Sequence, residues 1–139
     1  MIKVAIMDES VLIRASIRQI LSEDNSIEVV GDVLDISDIK KLLTIQKIDI
    51  LLLDISKPGN AGVSLLKEIN IRIKGLKILV LSMHNEYQFL AASLKDGALG
   101  YLMKSDLSAE LIDAVYKASE GSIYISQFFL KKFKKKIKQ

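Results

Sequence analysis

The sequence predicts a doubly wound α/β domain in which five parallel strands carry helices on both faces. Three observations lead there. Five short apolar runs alternate with five stretches of helical spacing. The first, third and fourth of those runs are apolar throughout rather than alternating, as strands buried on both faces must be. Glycines stand where the helical stretches should stop. Strict alternation of strand and helix implies right-handed crossovers and one layered sandwich, and 139 residues suffice for a single core.

The first strand is Val4-Ala5-Ile6-Met7, followed by a helix with Ile13, Ile17, Ile20 and Leu21 at 3.6-residue spacing. Asn25 is placed to end that helix, and Ile27-Glu28-Val29-Val30 forms the second strand. Ser37 is a candidate N-cap for the next helix. Ile50-Leu51-Leu52-Leu53 is the third strand, and the helical stretch after it stops at Gly75. Ile78-Leu79-Val80-Leu81 makes the fourth strand. The helix beginning near Glu86 shows Tyr87, Leu90, Ala91 and Leu94 on one face, read as core packing, and ends at Gly97. Leu99-Gly100-Tyr101-Leu102 is the fifth strand. Ser108 is a candidate cap for a last helix carrying Leu111, Ala114, Val115 and Ala118, which Gly121 terminates.

Composition narrows the function classes. The chain has no Cys and one His, which argues against disulfides and zinc. No apolar run approaches the ~20 residues of a membrane helix, and the N-terminus lacks the pattern of a signal peptide, so a cytoplasmic protein is expected. Residues 1–125 hold 14 basic and 17 acidic side chains, a net of −3, whereas the last 14 residues hold six Lys and no acid. The basic isoelectric point therefore belongs to a tail and does not by itself mark a nucleic-acid binder.

Open parallel sheets collect their chemistry at the C-terminal ends of the strands. Here those ends carry Asp8-Glu9, Asp54, Ser82 and Lys104. Each alone has a structural explanation: Asp8-Glu9 could cap the following helix, Asp54 could be a turn residue, and Ser82 or Lys104 alone means nothing. Their coincidence at one rim points to chemistry instead. Two carboxylates ~4 Å apart repel by roughly 4 kcal/mol at an effective dielectric of ~20. Three of them call for a cation, and oxygen ligands favour Mg²⁺ or Mn²⁺. A carboxylate beside such an ion can attack an activated phosphorus.

Asp54-Ile55-Ser56-Lys57-Pro58-Gly59-Asn60-Ala61-Gly62 resembles the phosphorylation loop of response regulator receiver domains, D-x-x-M-P-x-x-x-G. Asp8-Glu9 resembles the family's acidic pair, Ser82-Met83 its Thr/Ser motif, and Gly100-Tyr101-Leu102-Met103-Lys104 its G-Y-x-x-K. Order and spacing match over residues 2–121. Val29-Val30-Gly31, the run from Gly97 to Ser105 and the run from Gly121 to Ser126 are similar to the NarL/FixJ (LuxR-type) subfamily, whose members usually continue into a helix-turn-helix DNA-binding domain.

The resemblance implies a flavodoxin-like sheet in the order 2-1-3-4-5. It makes Asp54 the phosphoacceptor, served by a sensor histidine kinase, with Glu9, Asp54 and the Ser56 carbonyl on Mg²⁺ and Asp8 assisting. Ser82 and Lys104 would bind the phosphoryl oxygens, and Tyr101 would be the aromatic switch. It implies a phosphoacceptor rather than an enzyme, with a homodimer on phosphorylation, no membrane contact, and control of transcription through an output domain. Residues 1–125 would be the receiver and residues 126–139 a linker to a DNA-binding domain absent from this chain. In that tail Phe129, Leu130, Phe133 and Ile137 recur at helical spacing among Lys131, Lys132, Lys134, Lys135, Lys136 and Lys138, as in a basic amphipathic helix with a solvated lysine face.

Glu9 stands where Asp is commoner, and Lys57 where Met is usual; Lys57 is expected to point into solvent. A degenerate receiver that acts as a phosphorylation-independent interaction module is the alternative these two departures allow. A flavodoxin-like electron carrier would need a hydroxyl- and glycine-rich phosphate loop where Asp8-Glu9 stand, and a P-loop would need Lys-Ser/Thr after its glycines. His84, just past a strand, is expected to be a solvated loop residue without a role.

Overall fold

A computed structural model describes residues 1–137. The strands are β1 (Ile2–Met7), β2 (Ile27–Asp32), β3 (Ile50–Asp54), β4 (Lys77–Ser82), β5 (Gly100–Met103) and β6 (Tyr124–Ile125). The helices are α1 (Val11–Leu21), α2 (Ile36–Ile45), α3 (Ala61–Arg72), α4 (Tyr87–Lys95), α5 (Leu107–Ser119), α6 (Gln127–Lys132) and α7 (Lys134–Ile137). A 3₁₀ turn, Lys104–Asp106, links β5 to α5. All strand pairs are parallel, in the order β2-β1-β3-β4-β5-β6. The doubly wound class holds, but the sheet has six strands where five were expected.

Period-two alternation sorts the apolar strands onto two cores. Val4, Ile6, Ile50, Leu52, Leu79, Leu81 and Leu102 pack under α1 and α5, with Ile17, Leu21, Leu111, Ala114, Val115 and Ala118. Ala5, Met7, Leu51, Leu53, Ile78, Val80 and Tyr101 face the other way, against Ile39 of α2, Leu66 and Ile69 of α3, and Leu90 of α4. Both faces are covered, which is why these strands carry no polar alternation.

The sixth strand follows from a glycine. A Cβ on Gly100 would lie 2.7 Å from the Tyr124 carbonyl oxygen and 2.5 Å from Leu79 Cδ1, so only glycine lets β6 approach β5 here. Tyr124 N donates to Leu99 O at 2.9 Å and Ser126 N to Tyr101 O at 3.0 Å. With two residues, β6 is too short to leave a periodic signal.

Three helix ends behave as expected, with Gly75, Gly97 and Gly121 in the left-handed region at φ 84°, 106° and 82°. The other capping expectations need correction. Asp35, not Ser37, caps α2, its carboxylate accepting from Asp38 N at 2.8 Å, while Asp38 reaches back to Leu34 N. Ser108 lies inside α5, because the 3₁₀ turn puts Asp106 at the cap position. Asn25 keeps negative φ; α1 ends at Ser22, and Asp24 turns the chain by accepting from Ser26 N. On α4 the buried face is Phe89, Leu90 and Ser93, with Ala91 exposed, since the large Phe89 ring claims the interior. Ser93 satisfies its hydroxyl on Phe89 O at 2.7 Å.

The tail is not one helix. It breaks at Phe133 between α6 and α7, and its apolar side lies on the body. Phe129 is fully buried, its ring edge-on to Tyr101 at 5.2 Å and stacked with Phe133 at 5.7 Å. Phe133 also meets Tyr87 at 5.4 Å, and Lys136 Nζ sits 5.0 Å over the Tyr87 ring. Glu110 anchors the entry to this strap, accepting from Tyr124 OH at 2.6 Å and from Gln127 N at 3.0 Å. Lys131, Lys132, Lys134, Lys135 and Lys136 are exposed, as expected of the lysine face; Lys138 lies outside the described residues. Among the described residues no helix is long and apolar enough to cross a membrane.

Candidate functional site

The C-terminal ends of β1, β3 and β5 bring Asp8, Asp54 and Lys104 together. Lys104 Nζ lies 2.8 Å from Asp8 Oδ2 and 3.0 Å from Asp54 Oδ1, with the three side chains only 10%, 1% and 14% exposed. The 3₁₀ turn after β5 aims this ammonium back over the sheet end. One cation shared by two sheltered carboxylates offsets a repulsion that the fold could not otherwise hold.

Each carboxylate is also oriented by backbone. Asp8 Oδ1 accepts from Ser10 N and Asp54 Oδ1 from Ser56 N, both at 2.8 Å. Arg14, one turn into α1, donates to Asp8 O at 2.6 Å while its Nε lies 3.5 Å from Asp32. Nothing local in the sequence marks Arg14; its role appears only when α1 is laid against β1 and β2. Asp54 Oδ2 accepts no hydrogen bond among the described residues, so one oxygen of this carboxylate remains available.

Ser82 is fully buried at the end of β4, where its Oγ accepts from His84 N at 2.8 Å and its hydroxyl also lies against the Tyr101 phenol. The Ser56 hydroxyl accepts from Met83 N at 2.8 Å, tying the β3–α3 loop to the β4–α4 loop. His84 departs from expectation. Its ring stacks on Phe89 at 4.0 Å and 11°, and its Nε2 lies 3.2 Å from Lys57 O. A neighbouring aromatic ring and a carbonyl hold it, so it is not a freely solvated loop residue.

Tyr101 is fully buried and donates to His84 O at 2.9 Å. Burial pushes its phenol up to about 12, aided by the Glu86 carboxylate and opposed by the nearby Ser82 hydroxyl. The ring therefore joins the β4–α4 loop on one side to Phe129 of the strap on the other.

Glu9 does not join the carboxylate pair. Its side chain is 87% exposed and lies 3.8 Å from Lys57 Nζ, whose own side chain is 44% exposed. Lys57, expected in solvent, is half-sheltered and reaches across the mouth of the site. Among the described residues no three His, Cys, Asp or Glu side chains converge as a metal cluster. Repulsion accounts for this: Lys104 fills the space between Asp8 and Asp54, and the longer Glu9 arm swings outward to its own cation.

The donor set nonetheless fits a hard divalent ion. The buried Asp8 Oδ2 has the Lys104 ammonium 2.8 Å away, so this oxygen already faces a cation. Carboxylate and carbonyl oxygens are the ligands Mg²⁺ takes. The hollow above them, lined by Met7, Asp8, Glu9, Val33, Leu34, Asp54, Lys57 and Leu65, encloses about 40 Å³. That is room for an ion and its water ligands at the mouth of the site.

The chain is similar to proteins of one kind. The response regulator receiver domain family matches residues 4–116. Response regulator UvrY of Escherichia coli (strain K12) is 33% identical over 126 residues, covering 91% of this chain and 58% of that protein. Transcriptional regulatory protein DegU of Brevibacillus brevis is 34% identical over 124 residues, covering 89% and 52%. The chain thus spans little more than half the length of these relatives. The isolated REC domain of RcsB from Salmonella enterica serovar Typhimurium, solved with phosphomimetic BeF₃⁻, has a TM-score of 0.80 at 26% identity, over 94% of this chain and 96% of that one. RcsB dimers bound to two parallel DNAs give 0.80 and 26%, over 94% and 66%. With a family match across most of its length and Lys104 paired to Asp54 across the end of the sheet, the chain belongs to the response regulator receiver domain family.

Proposed function

We propose that Asp54 accepts a phosphoryl group from a phosphohistidine of a sensor histidine kinase, in the cytoplasm and with Mg²⁺ or Mn²⁺ present. The observation that carries this reading is the Asp54 carboxylate itself. Lys104 Nζ and Ser56 N fix its Oδ1, while Oδ2 is left without a partner at the end of the central strand. Oδ2 attacks phosphorus as the P–N bond to the donor histidine breaks, and the departing imidazole keeps the electron pair. Lys104 then has an anionic oxygen to pair with, and the Ser82 hydroxyl can turn to donate to another. A bound divalent ion would neutralise charge on the transferring oxygens; Asp8, Asp54 and the Ser56 carbonyl would hold it, with Glu9 turning inward.

The rim suits a protein donor. Val11, Leu12, Leu34 and Met83 surround the site at 72%, 76%, 77% and 71% exposure, an apolar collar that a partner's surface would cover. Redirecting Ser82 toward the phosphoryl group loosens its contact with His84 N and biases Tyr101, α4 and the strap, the two-state element of the switch. The longer relatives, and the DNA-bound RcsB dimers, support a regulator that forms a homodimer on phosphorylation and controls transcription through a C-terminal DNA-binding domain beyond residues 126–139, where DNA contact is made. In this arrangement residues 1–125 carry the receiver chemistry and the strap is a packed connector. The outward position of Glu9 favours the second reading, a phosphorylation-independent interaction module.

Intact-mass measurement after incubation with a small phosphodonor and Mg²⁺ separates the two. A phosphoryl adduct on the native chain, absent from a folded Asp54→Asn variant, is expected. No adduct on the native chain, or undiminished uptake by the variant, would refute the assignment.

A further inference from the structure

Lys57 is a cation at the mouth of a site that must attract cations. It lines the same hollow as Asp8, Glu9 and Asp54, and its Nζ lies 3.8 Å from Glu9 Oε1. Its backbone is pinned there, with Lys57 N donating to Ile55 O at 2.7 Å and Lys57 O facing His84 Nε2 at 3.2 Å. The ammonium swings on its stem but cannot leave the rim. Lys104 already balances one charge of the Asp8–Asp54 pair. With Lys57 on Glu9, three carboxylates face two ammonium groups, and the attraction left for a divalent ion is that of one net negative charge.

We propose that Lys57 sets the metal affinity of the site by holding Glu9 outward and repelling the incoming ion. This rests on reading the rim as a metal-dependent phosphoacceptor site, in which Asp8 and Asp54 would hold the ion. Mg²⁺ entry then requires Glu9 to exchange one cation for another. The exchange takes place in largely exposed surroundings, so the effect of Lys57 is modest and salt-sensitive. A unit charge about 8 Å from a divalent ion at a water-like dielectric of ~80 changes its affinity about fivefold.

The test is Mg²⁺ titration, by calorimetry or NMR shifts, of the whole chain and its Lys57→Met, Glu9→Gln and doubly substituted forms. Lys57→Met is expected to tighten Mg²⁺ about fivefold at low salt, with the gain shrinking to less than about twofold near 0.5 M salt as screening takes hold. In the Glu9→Gln background only the direct repulsion remains, so the gain should be smaller than in the native chain. Unchanged or weaker binding by Lys57→Met overturns the proposal. An equal gain in both backgrounds overturns the holding of Glu9. If neither the native chain nor Lys57→Met responds to Mg²⁺, the metal-site reading itself fails; binding by the native chain with no Lys57 effect sinks only the proposal.

Discussion

Replacing Lys104 by Met keeps the aliphatic stem and removes only the ammonium that sits 2.8 Å from Asp8 and 3.0 Å from Asp54. Packing is nearly conserved, so the energetic change is electrostatic. The three side chains are at most 14% exposed, and water cannot take over the role of the lost cation. Removing one partner of such a sheltered ionic group costs about 3–5 kcal/mol, because the remaining charges stay uncompensated. For a domain of this size that corresponds to a fall of about 10–20 °C in Tm. Mg²⁺ should reverse part of the loss. With the ammonium gone, a divalent ion meets the two carboxylates without a competitor, and its binding stabilises the folded form by mass action. Urea unfolding with chelator and with millimolar Mg²⁺ measures both quantities. The variant should be much less stable than the native chain in chelator, and the gap should narrow with the metal. Equal stability within about 1 kcal/mol in chelator would show that Lys104 does not balance these carboxylates.

Two further outcomes follow from the strap and its contact with Tyr101. Phe129→Ala removes a fully buried ring, a change worth about 3–5 kcal/mol in a fixed core. Because a terminal strap can detach alone, the loss should be local: amide exchange at Ser126 and Phe133 should accelerate while β1 and β3 keep their protection. Uniform loss across the sheet would contradict this. Tyr101 ionises only near 12 in the fold, above the ordinary value of 10, so the fold favours its neutral form. Its contribution to stability is whole below pH ~10 and is lost as pH rises through ~12. Tyr101→Phe should remove a late step from the ultraviolet phenol titration; an unchanged curve would place the late ionisation elsewhere.

Local signals made much of this molecule legible. The uninterrupted apolar runs of β1, β3 and β4 announce strands covered on both sides, and the glycines at 75, 97 and 121 mark helix ends because their backbone geometry excludes other residues. Asp54 and Lys104 were readable because each is the polar residue that closes an apolar strand. What escaped depends on contacts between distant segments. The two-residue β6 has no pattern of its own, and Gly100 reveals it only once β5 is in place. Arg14 acts through a backbone carbonyl six residues away. Glu9 looks equivalent to Asp8 in sequence, yet one arm turns in toward Lys104 and the other out toward Lys57. The same limit applies to Phe129, whose spacing predicts an apolar face but not that the face is already spent on Tyr101.

The pairing of β6 with β5 has a consequence for how the molecule behaves in concentrated solution. All four residues of β5, Gly100–Met103, are buried. Without Tyr124 and Ile125 their outer backbone groups would form an open, flat, apolar border, the kind that recruits copies of the same strand. The two residues of β6, followed at once by the turn into α6, leave the sheet ending on a stub too short to template another chain. The residues after α5 therefore cover the outer edge of β5. A polypeptide cut after Gly121 would bare this border together with the face of Tyr101 that Phe129 covers.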